Sequence, residues 1–414
     1  MPNAADEFQD ESIAHQVLVL RAANQLRDEF NATLAASEAA MLAILAEQLE
    51  RIGEFGPQVF PQNARAVDRA IRRTLAVREK PFRDAQKQLT DSLVEMGVDE
   101  AAGTLETLED VLPVKLKLNA APPEHVLAAV RKRPFQGKLL KDWTANLQAG
   151  EKVRVAALIT QGVAEGRTID ELVRALRGTR RAGFADGILQ IGRRDAEAVV
   201  RTAVQHVTNR ARDDVFEANS DIISGIQWVA TLDGRTTPIC RDRDGKVTMF
   251  NGLPLPEGFL QLEPPSARPP AHIGCRSIVV AIFDPEGIAD KIGERPFVRS
   301  AKTRRLREKD FRAESKAELG AEQWKSLTSK QRTAAISDRR RQWTRENVGQ
   351  VAKETTYDQW LKRQPASFQD EVLGPARGKL FRAGQETSHT FVDSRGKLLT
   401  LKQLKARRQS RKKG

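Results

Sequence analysis

The stretch SGIQWVATLDGRTTPICRDRDGKVTMFNGLPLP, residues 224–256, decides how the centre of the chain folds. Short runs of β-forming residues alternate with the pairs Asp233-Gly234, Asp244-Gly245 and Asn251-Gly252. Such pairs between apolar runs are typical of tight turns between strands. A proline-rich loop, LEPPSARPPAHIGC, comes next, and the following SIVVAIF has the pattern of a buried strand. We therefore predict a compact α+β unit over about 150–285, in which a helix over 195–218 precedes the strands.

Helical patterns surround this unit. Residues 11–51 predict one long helix and residues 63–80 a second, which Pro81 interrupts. The run EKVRVAALITQGVAEGRTIDELVRALRG predicts two helices around a glycine turn, with Thr168 and Glu171 at the spacing of a capping box. The predicted fold class is therefore mainly α with a small α+β module. It has long N-terminal helices, a central helix-plus-hairpin domain and a basic helical C-terminal region.

The 414 residues suit two or three domains. A softer stretch with three prolines, residues 112–123, marks the first boundary. We expect a long-helix assembly region at 1–120, the α+β module at 121–290, and a basic helical extension at 291–414 that ends in a disordered tail. Within the extension, aromatic and aliphatic residues at helical spacings predict a small packed element: Trp360, Leu361, Phe368, Val372, Leu373, Leu380 and Phe381.

Positive charge is concentrated at the C-terminal end. Residues 301–414 hold 29 Lys or Arg against 13 Asp or Glu, whereas the whole chain holds 68 and 55. The final LKQLKARRQSRKKG contains seven basic residues and no acidic one. Such a block often contacts nucleic acid, although it also serves as a solubilising tail. The residues predicted to contact DNA are Lys402, Lys405, Arg407, Arg408, Arg411, Lys412 and Lys413.

Composition excludes several classes of protein. With 40% apolar and 30% charged residues, no run approaches the roughly 18 apolar residues of a membrane span, so none is predicted. The acidic start, MPNAADEFQDES, is not that of a secretory signal. Two cysteines exclude a disulfide framework and point to a reducing compartment.

Cys240, His272 and Cys275 form the one candidate cluster of soft metal ligands. A structural zinc site normally has four ligands, so these three would need a fourth. Asp233, Asp242, Asp244 or a water molecule are the candidates. Two buried thiols without metal, or a single disulfide between them, are the alternatives. Zinc is therefore the one candidate cofactor.

No motif specifies an enzyme. The zinc-protease H-E-x-x-H, the phosphate loop G-x-x-x-x-G-K-[ST], the dinucleotide G-x-G-x-x-G and the hydrolase G-x-S-x-G are absent from the sequence. No catalytic residue is predicted, and we do not expect an enzyme. The helical hairpin near Arg174, Arg177, Arg180 and Arg181 leaves open a DNA-binding helix–turn–helix, although helical hairpins are also common packing units.

Residues 195–281 resemble the phage head morphogenesis family, the minor head proteins of the phage Mu F-like type. The helix carrying VTNRARDDVFEAN leads into the strand GIQW. LDGRTTPICRDRDGKV then matches the family pattern D-x-R-T-x-x-x-C-x-x-x-D-G, and RPPAHIGCRSIVV matches P-P-x-H-x-x-C-R. Family members often have further cysteines where this chain has Thr237 and Ser277. The resemblance extends over about 150–405, including TIDELVRALRG and the element around Trp360.

This resemblance implies a virion component made in the bacterial cytoplasm and located in the head interior or at the portal vertex. The implied partners are the portal protein, major capsid or scaffold proteins, and double-stranded DNA through the basic C-terminus. The implied roles are head assembly and DNA packaging or ejection. Two alternatives remain at this point: a sequence-nonspecific nucleic-acid-binding protein, and a metal-dependent nuclease that is delivered with the genome and uses His272 with nearby acids.

Overall fold

The chain is mainly helical: helices account for 67% of the structure, and a three-stranded antiparallel sheet lies among them. This confirms the predicted fold class. The computed structural model describes residues 4–53, 64–111, 118–283, 294–298, 308–329, 331–336, 339, 348–352, 355–393 and 397–411. Contacts group the chain into two compact units, a helical unit and a sheet unit. The helical unit comprises Ala14–Asn219 with the loop Arg268–Arg276, and the sheet unit comprises Met1–Ile13, Ser220–Ala267 and Ser277–Gly414.

Eight helices are described up to residue 219: α1 Ala4–Ala35, α2 Glu38–Gly53, α3 Ala64–Ala76, α4 Glu79–Val111, α5 Pro123–Arg131, α6 Leu140–Ala164, α7 Ile169–Arg177 and α8 Ile188–Ala218. Most of α8 from Ala196 onward is buried against α4, α5 and α6. Gly97 of α4 allows this close approach, because a Cβ there would lie 2.7 Å from Val126 and 2.8 Å from Val207. The helix predicted over 195–218 is thus confirmed, and it begins seven residues earlier.

The single long helix predicted over 11–51 is wrong, because the chain turns between α1 and α2. The buried Arg78 holds this turn: its guanidinium donates to the Leu34 carbonyl and, at 2.8 Å, to the Ser37 hydroxyl. The same guanidinium forms a bidentate pair with the buried Glu151 at 2.7 and 2.8 Å. A side chain 41 positions from Ser37 in sequence therefore satisfies polar groups at the break, and periodicity within 11–51 carries no sign of it.

Pro81 does not separate two helices as the sequence predicted. It lies in the first turn of α4, where a missing backbone N–H costs nothing. The break falls just before it, at Val77 and Arg78. The predicted capping box is confirmed: the Thr168 hydroxyl accepts from the Glu171 backbone N–H at 3.2 Å, and the Glu171 carboxylate accepts from the Thr168 N–H at 2.8 Å.

In the sheet unit, three strands form an antiparallel sheet in the order β2-β1-β3: β1 Gly225–Val229, β2 Val247–Met249 and β3 Ile278–Ile282. Gly225 lies opposite Met249 in β2 and Ile282 in β3. The short helix α9, Pro238–Arg243, lies in the connection between β1 and β2. The backbone of the fully buried Trp228 closes this connection: its carbonyl accepts from the Gly245 N–H at 2.9 Å, and its backbone N–H donates to the Lys246 carbonyl at 2.9 Å.

After residue 283 the described elements are β4 Glu294–Val298, α10 Glu308–Leu319, α11 Ala321–Ser326, β5 Val348–Ala352, α12 Tyr357–Lys362, α13 Ala366–Leu373, α14 Pro375–Arg382 and α15 Leu401–Arg411, together with the 3-10 turn Ser388–Phe391. β4 and β5 pair antiparallel. We call residues 355–411 the C-terminal lobe. Its core is a cluster of buried side chains, which confirms the predicted packed element: Leu232, Tyr357, Trp360, Leu361, Phe368, Leu373, Phe381, Phe391 and Leu404.

The predicted disordered tail is wrong for residues 401–411, which form helix α15. Thr400 and Gln403 cap its start, because the Gln403 side chain accepts from the Thr400 N–H at 2.8 Å and the Thr400 hydroxyl accepts from the Gln403 N–H at 3.3 Å. Leu404 is buried in the core of the lobe. One apolar side chain and one cap thus hold a segment whose charge alone favours disorder. Residues 412–414 lie outside the described part of the chain.

The tract Phe8–Ile52 contains one 18-residue window with a mean hydropathy of 1.2, which is long and apolar enough for a membrane span by composition. Core helices of soluble proteins can have the same length and hydropathy, and Met41 and Leu45 in this tract belong to a buried cluster of the helical unit. The absence of a span stays a prediction, as do the three domains drawn from the sequence.

Candidate functional site

The connection from β1 to β2, residues 230–246, is called here the Asp-Gly loop. Its first turn is organised by the buried Asp233, whose carboxylate accepts from the Arg235 N–H at 3.0 Å and from the Thr236 hydroxyl at 3.2 Å. Thr236 also donates to the Thr231 carbonyl. The turn is followed at once by Pro238, the first residue of α9, and α9 carries Cys240 at a buried position. The D-x-R-T part of the pattern therefore forms the turn that precedes α9, and α9 positions the thiol of Cys240.

The second ligand segment is the loop Arg268–Arg276, which belongs to the helical unit. It is fixed to α8 at both ends: Arg268 pairs with the buried Asp213 at 2.7 Å, and the Gly274 N–H donates to the Thr202 hydroxyl at 2.9 Å. Between these anchors, the Cys275 N–H donates to the His272 carbonyl at 3.1 Å. This hydrogen bond closes a turn that places the His272 and Cys275 side chains close together.

The structure brings together the three ligands predicted from the sequence. One ligand atom from each of Cys240, His272 and Cys275 lies within 4.8 Å of the others. Both cysteines are buried and are present as thiols, and His272 is half-buried. Around a tetrahedral zinc, such atoms would be roughly 3.5–4 Å apart, because Zn–S and Zn–N bonds are about 2.3 and 2.0 Å. The cluster therefore has the donor chemistry of a soft-metal site.

His272 is oriented for such a role. Its Nδ1 lies 2.9 Å from the Ile273 carbonyl, so Nδ1 carries the proton and Nε2 keeps its lone pair when the ring is neutral. Burial by itself would lower the pKa of His272, but the hydrogen bond to Cys275 and the electrostatic interaction with that side chain outweigh it and raise the pKa. The imidazole and the thiol are thus in direct contact.

None of the three aspartates proposed as a fourth ligand is available in this arrangement. Asp233 organises its own turn and pairs with Arg235. Asp242 pairs with Lys246 at 3.0 Å and with His389 at 3.1 Å. Asp244 is engaged by two backbone N–H groups. Within the described residues, a buried polar group that does lack a partner is the Thr237 hydroxyl, three positions before Cys240. Thr237 occupies the N-cap of α9, yet its side chain makes no capping bond.

The buried Asp244 joins the Asp-Gly loop to the C-terminal lobe. One carboxylate oxygen accepts from the Ala230 N–H at 2.7 Å, and the other accepts from the Tyr357 N–H at 2.8 Å. These two donors are 127 positions apart in the sequence. A buried carboxylate is stable only when such donors replace its water, so the loop and the lobe stabilise each other.

Tyr357 completes this junction. Its hydroxyl donates to the Asp233 carbonyl at 3.0 Å, and the Arg241 guanidinium lies 5.5 Å from the centre of its ring. Burial raises the pKa of the Tyr357 hydroxyl, with the Arg241 charge opposing, so the hydroxyl remains a donor. At the rim, the hydrogen bond to Asp242 raises the pKa of His389 above its usual range.

The sequence reasoning missed the junction of Asp244, Tyr357 and His389. A partial signal was present, because T-x-x-Q before an apolar run predicts a capped helix, and Thr356 does cap α12 in this way. The T-x-x-Q pattern does not indicate that the first N–H of this helix, that of Tyr357, donates to Asp244 in another segment.

The predicted DNA-contacting residues lie on α15 and beyond it. Lys402, Lys405 and Arg407 are exposed, and Arg407 donates to the Val392 carbonyl at 3.2 Å. Arg408 and Arg411 belong to the same helix, but their side chains lie outside the described part of the structure, as do Lys412 and Lys413 entirely.

Comparison with known proteins finds one family. Residues 153–280 match the family model described as Phage Mu protein F like protein. No curated protein and no solved structure matches the chain. The match includes α7, α8, the Asp-Gly loop and all three candidate ligands, and it stops within β3. The C-terminal lobe, which the resemblance in the sequence had included, lies outside the matched residues.

We expect Asp244→Ala to lower the free energy of unfolding by about 2–4 kcal/mol, because two buried N–H groups lose a charged acceptor. Urea denaturation of the full chain measures this, and limited proteolysis should show earlier cleavage within the C-terminal lobe. Asp170→Asn is the control, since Asp170 is an exposed acid whose side chain is 84% accessible. An Asp244→Ala protein as stable as the control would contradict the role assigned to Asp244.

Proposed function

Because residues 153–280 form a Phage Mu protein F-like region, we propose that this chain is a minor head protein of a tailed bacteriophage. It is made in the cytoplasm of the host bacterium and becomes part of the virion, in the head interior or at the portal vertex. Its role is structural, without turnover of a substrate. The family match is the observation that carries this proposal, and the structure contributes reasons of three kinds.

The first reason is mechanical. The Asp-Gly loop, α9 and the C-terminal lobe share buried bonds through Asp244 and Tyr357, which gives the sheet unit a fixed surface. A protein that docks on a ring of portal subunits, or on capsid or scaffold proteins, benefits from a surface that does not rearrange on binding, since ordering costs are avoided.

The second reason is charge. The C-terminal region carries the basic excess of the chain, and α15 presents Lys402 and Lys405 to solvent while Leu404 anchors it to the lobe. Phosphate contacts of this kind require no base readout. They suit a protein that meets packaged DNA of any sequence during packaging or ejection.

The third reason is the thiol–imidazole cluster. Cys240, His272 and Cys275 would hold zinc through two thiolates and one imidazole, and a water molecule would complete the four ligands of a structural site. Bound zinc would supply a structural cross-link between the two ligand segments. The residues of this chain place the thiols, and the Ile273 carbonyl fixes the ring of His272.

Co-expression with the portal protein of the same phage should yield a complex of this chain with a portal ring, and native mass spectrometry would give its mass and any zinc increment. The expectation follows from the head-assembly role. A portal ring from an unrelated phage is the control and should bind no chain. A monomer that ignores the cognate ring would overturn the proposal, and a nuclease assay of His272→Ala would then test the enzymatic alternative.

Replacing the seven basic residues of 401–413 by Gln should flatten the salt dependence of DNA binding. Each lost phosphate contact lowers the slope of log K against log salt by about 0.9, so the loss is as much as about 6. Leu404 is kept, which leaves the lobe core intact. Fluorescence anisotropy on a duplex over a range of salt concentrations measures the slope, and an unchanged slope would exclude this segment as the DNA contact.

Cys240→Ser should lower the free energy of unfolding by a few kcal/mol when zinc is supplied, since a lost thiolate ligand removes binding energy that stabilises the fold. The wild-type chain should show a matching loss when a chelator is added. If wild type and variant melt together, with and without the chelator, the cluster consists of buried thiols and holds no metal.

A further inference from the structure

The connection between α7 and α8, residues 178–187, is held in one conformation by its own hydrogen bonds. The Asp186 carboxylate accepts from both the Thr179 N–H and the Thr179 hydroxyl at 2.8 Å. The Phe184 N–H donates to the Thr179 carbonyl at 2.8 Å, and the Gly183 N–H donates to the Arg180 carbonyl at 3.0 Å. Hydrogen bonds within the connection therefore fix its conformation.

Both ends of the connection require glycine. A Cβ at Gly187 would lie 2.4 Å from the Arg177 carbonyl, and one at Gly178, where φ is +93°, would lie 2.7 Å from the Phe184 carbonyl. At its tip, Phe184 adopts φ +62°, which is costly for a bulky residue, and its side chain remains 37% exposed. Strain of this kind at an exposed position is a mark of functional segments.

Arginine dominates this surface. Arg174, Arg177, Arg180 and Arg181 are all exposed. Arg177 stands over the Phe184 ring, with its guanidinium 5.8 Å from the ring centre. Three acids lie nearby: Asp170, which is 3.7 Å from Arg174, Glu171, which the Thr168 cap occupies, and Asp186, which the Thr179 bonds occupy. Among the described residues, neither Arg180 nor Arg181 has an acidic partner. We call residues 174–187 the arginine loop.

We propose that the arginine loop binds the phosphate backbone of duplex DNA. Guanidinium groups suit phosphate because their fork of donors matches its oxygens. A docking site for an acidic protein would need an apolar centre. Between residues 174 and 191, all of which the structure describes, the exposed large apolar side chains are only Phe184 and Ile191. Stacking of unpaired bases is disfavoured as well, since Arg177 covers one face of the Phe184 ring.

The position of the charge excludes base readout by a helix–turn–helix. Such a motif contacts bases with the first turn of its second helix. The first turn of α7 carries Asp170 and Glu171, and acids there repel phosphates. The cations lie at the opposite end of α7 and in the loop after it. The contact is therefore one of charge and shape, without sequence preference.

This inference rests on the proposed function in one respect, that the chain meets DNA in the virion. It adds a second contact, in a folded region within the family match and separate in sequence from α15. The test compares full-length chains that carry R180A/R181A, R180K/R181K or R69A/R72A. The last variant is the matched control, because Arg69 and Arg72 are exposed arginines of α3 and their removal changes net charge equally.

Binding of a duplex of about 30 base pairs is followed by anisotropy over a range of salt concentrations. R180A/R181A should lower the salt slope by about 2 and the affinity by roughly tenfold near physiological salt, because two phosphate contacts are lost. R180K/R181K should keep the slope, and R69A/R72A should match wild type. An unchanged slope in R180A/R181A, or an equal loss in R69A/R72A, would overturn the inference.

Portal capture separates this inference from the proposed function. A R180A/R181A chain that binds DNA like wild type but no longer captures the portal ring would show that the loop docks protein, and the DNA inference would fall while the head-protein proposal stands. If the wild-type chain captures no portal ring but the variants show the predicted salt slopes, the head-protein proposal would fall while the DNA inference stands. Circular dichroism melting of all variants checks that each is folded.

Discussion

The buried carboxylate of Asp244 is the constraint on which the sheet unit depends. A charge removed from water must find donors of fixed geometry, and this one finds the backbone N–H groups of Ala230 and Tyr357. The first closes the loop after β1, and the second is the opening N–H of α12. Because the two donors come from distant segments, neither the loop nor the lobe can adopt this arrangement without the other. The aromatic core around Trp360 adds area to the junction, but Asp244 sets its register.

The helical unit also contains a buried charge that is matched by groups distant in sequence, but there the charge is positive. Arg78, buried to 2% exposure, is matched by Glu151 and by the polar groups left at the break between α1 and α2. A second buried pair, Arg212 with Glu100, ties α8 to α4, and there the charge of Arg212 overcomes burial and lowers the pKa of Glu100. Pairs of this kind contribute little net stability, but removing one partner is costly, so they specify one packing over others.

These charge pairs also mark the limit of what the sequence predicts. Features set within a few residues were predictable: the Thr168 cap, the strands around Asp244-Gly245, and the spacing of His272 and Cys275. Features decided by a distant partner were not. The break at Ser37 depends on Arg78, the helix at 401–411 depends on a core that Leu404 joins, and the role of Asp244 depends on Tyr357. The three candidate ligands were found because their chemistry is rare in this chain, which has only two cysteines. The sequence could not show that the three side chains lie close together, and the structure does.

The polar contacts that hold the two ligand segments include several made by residues other than the three ligands. Asp233 and Asp244 organise the Asp-Gly loop, while Arg268 and Gly274 fix the loop Arg268–Arg276 on α8. Each ligand segment therefore has contacts that shape it without a metal, unlike the ligands of small zinc domains, which fold only when zinc binds.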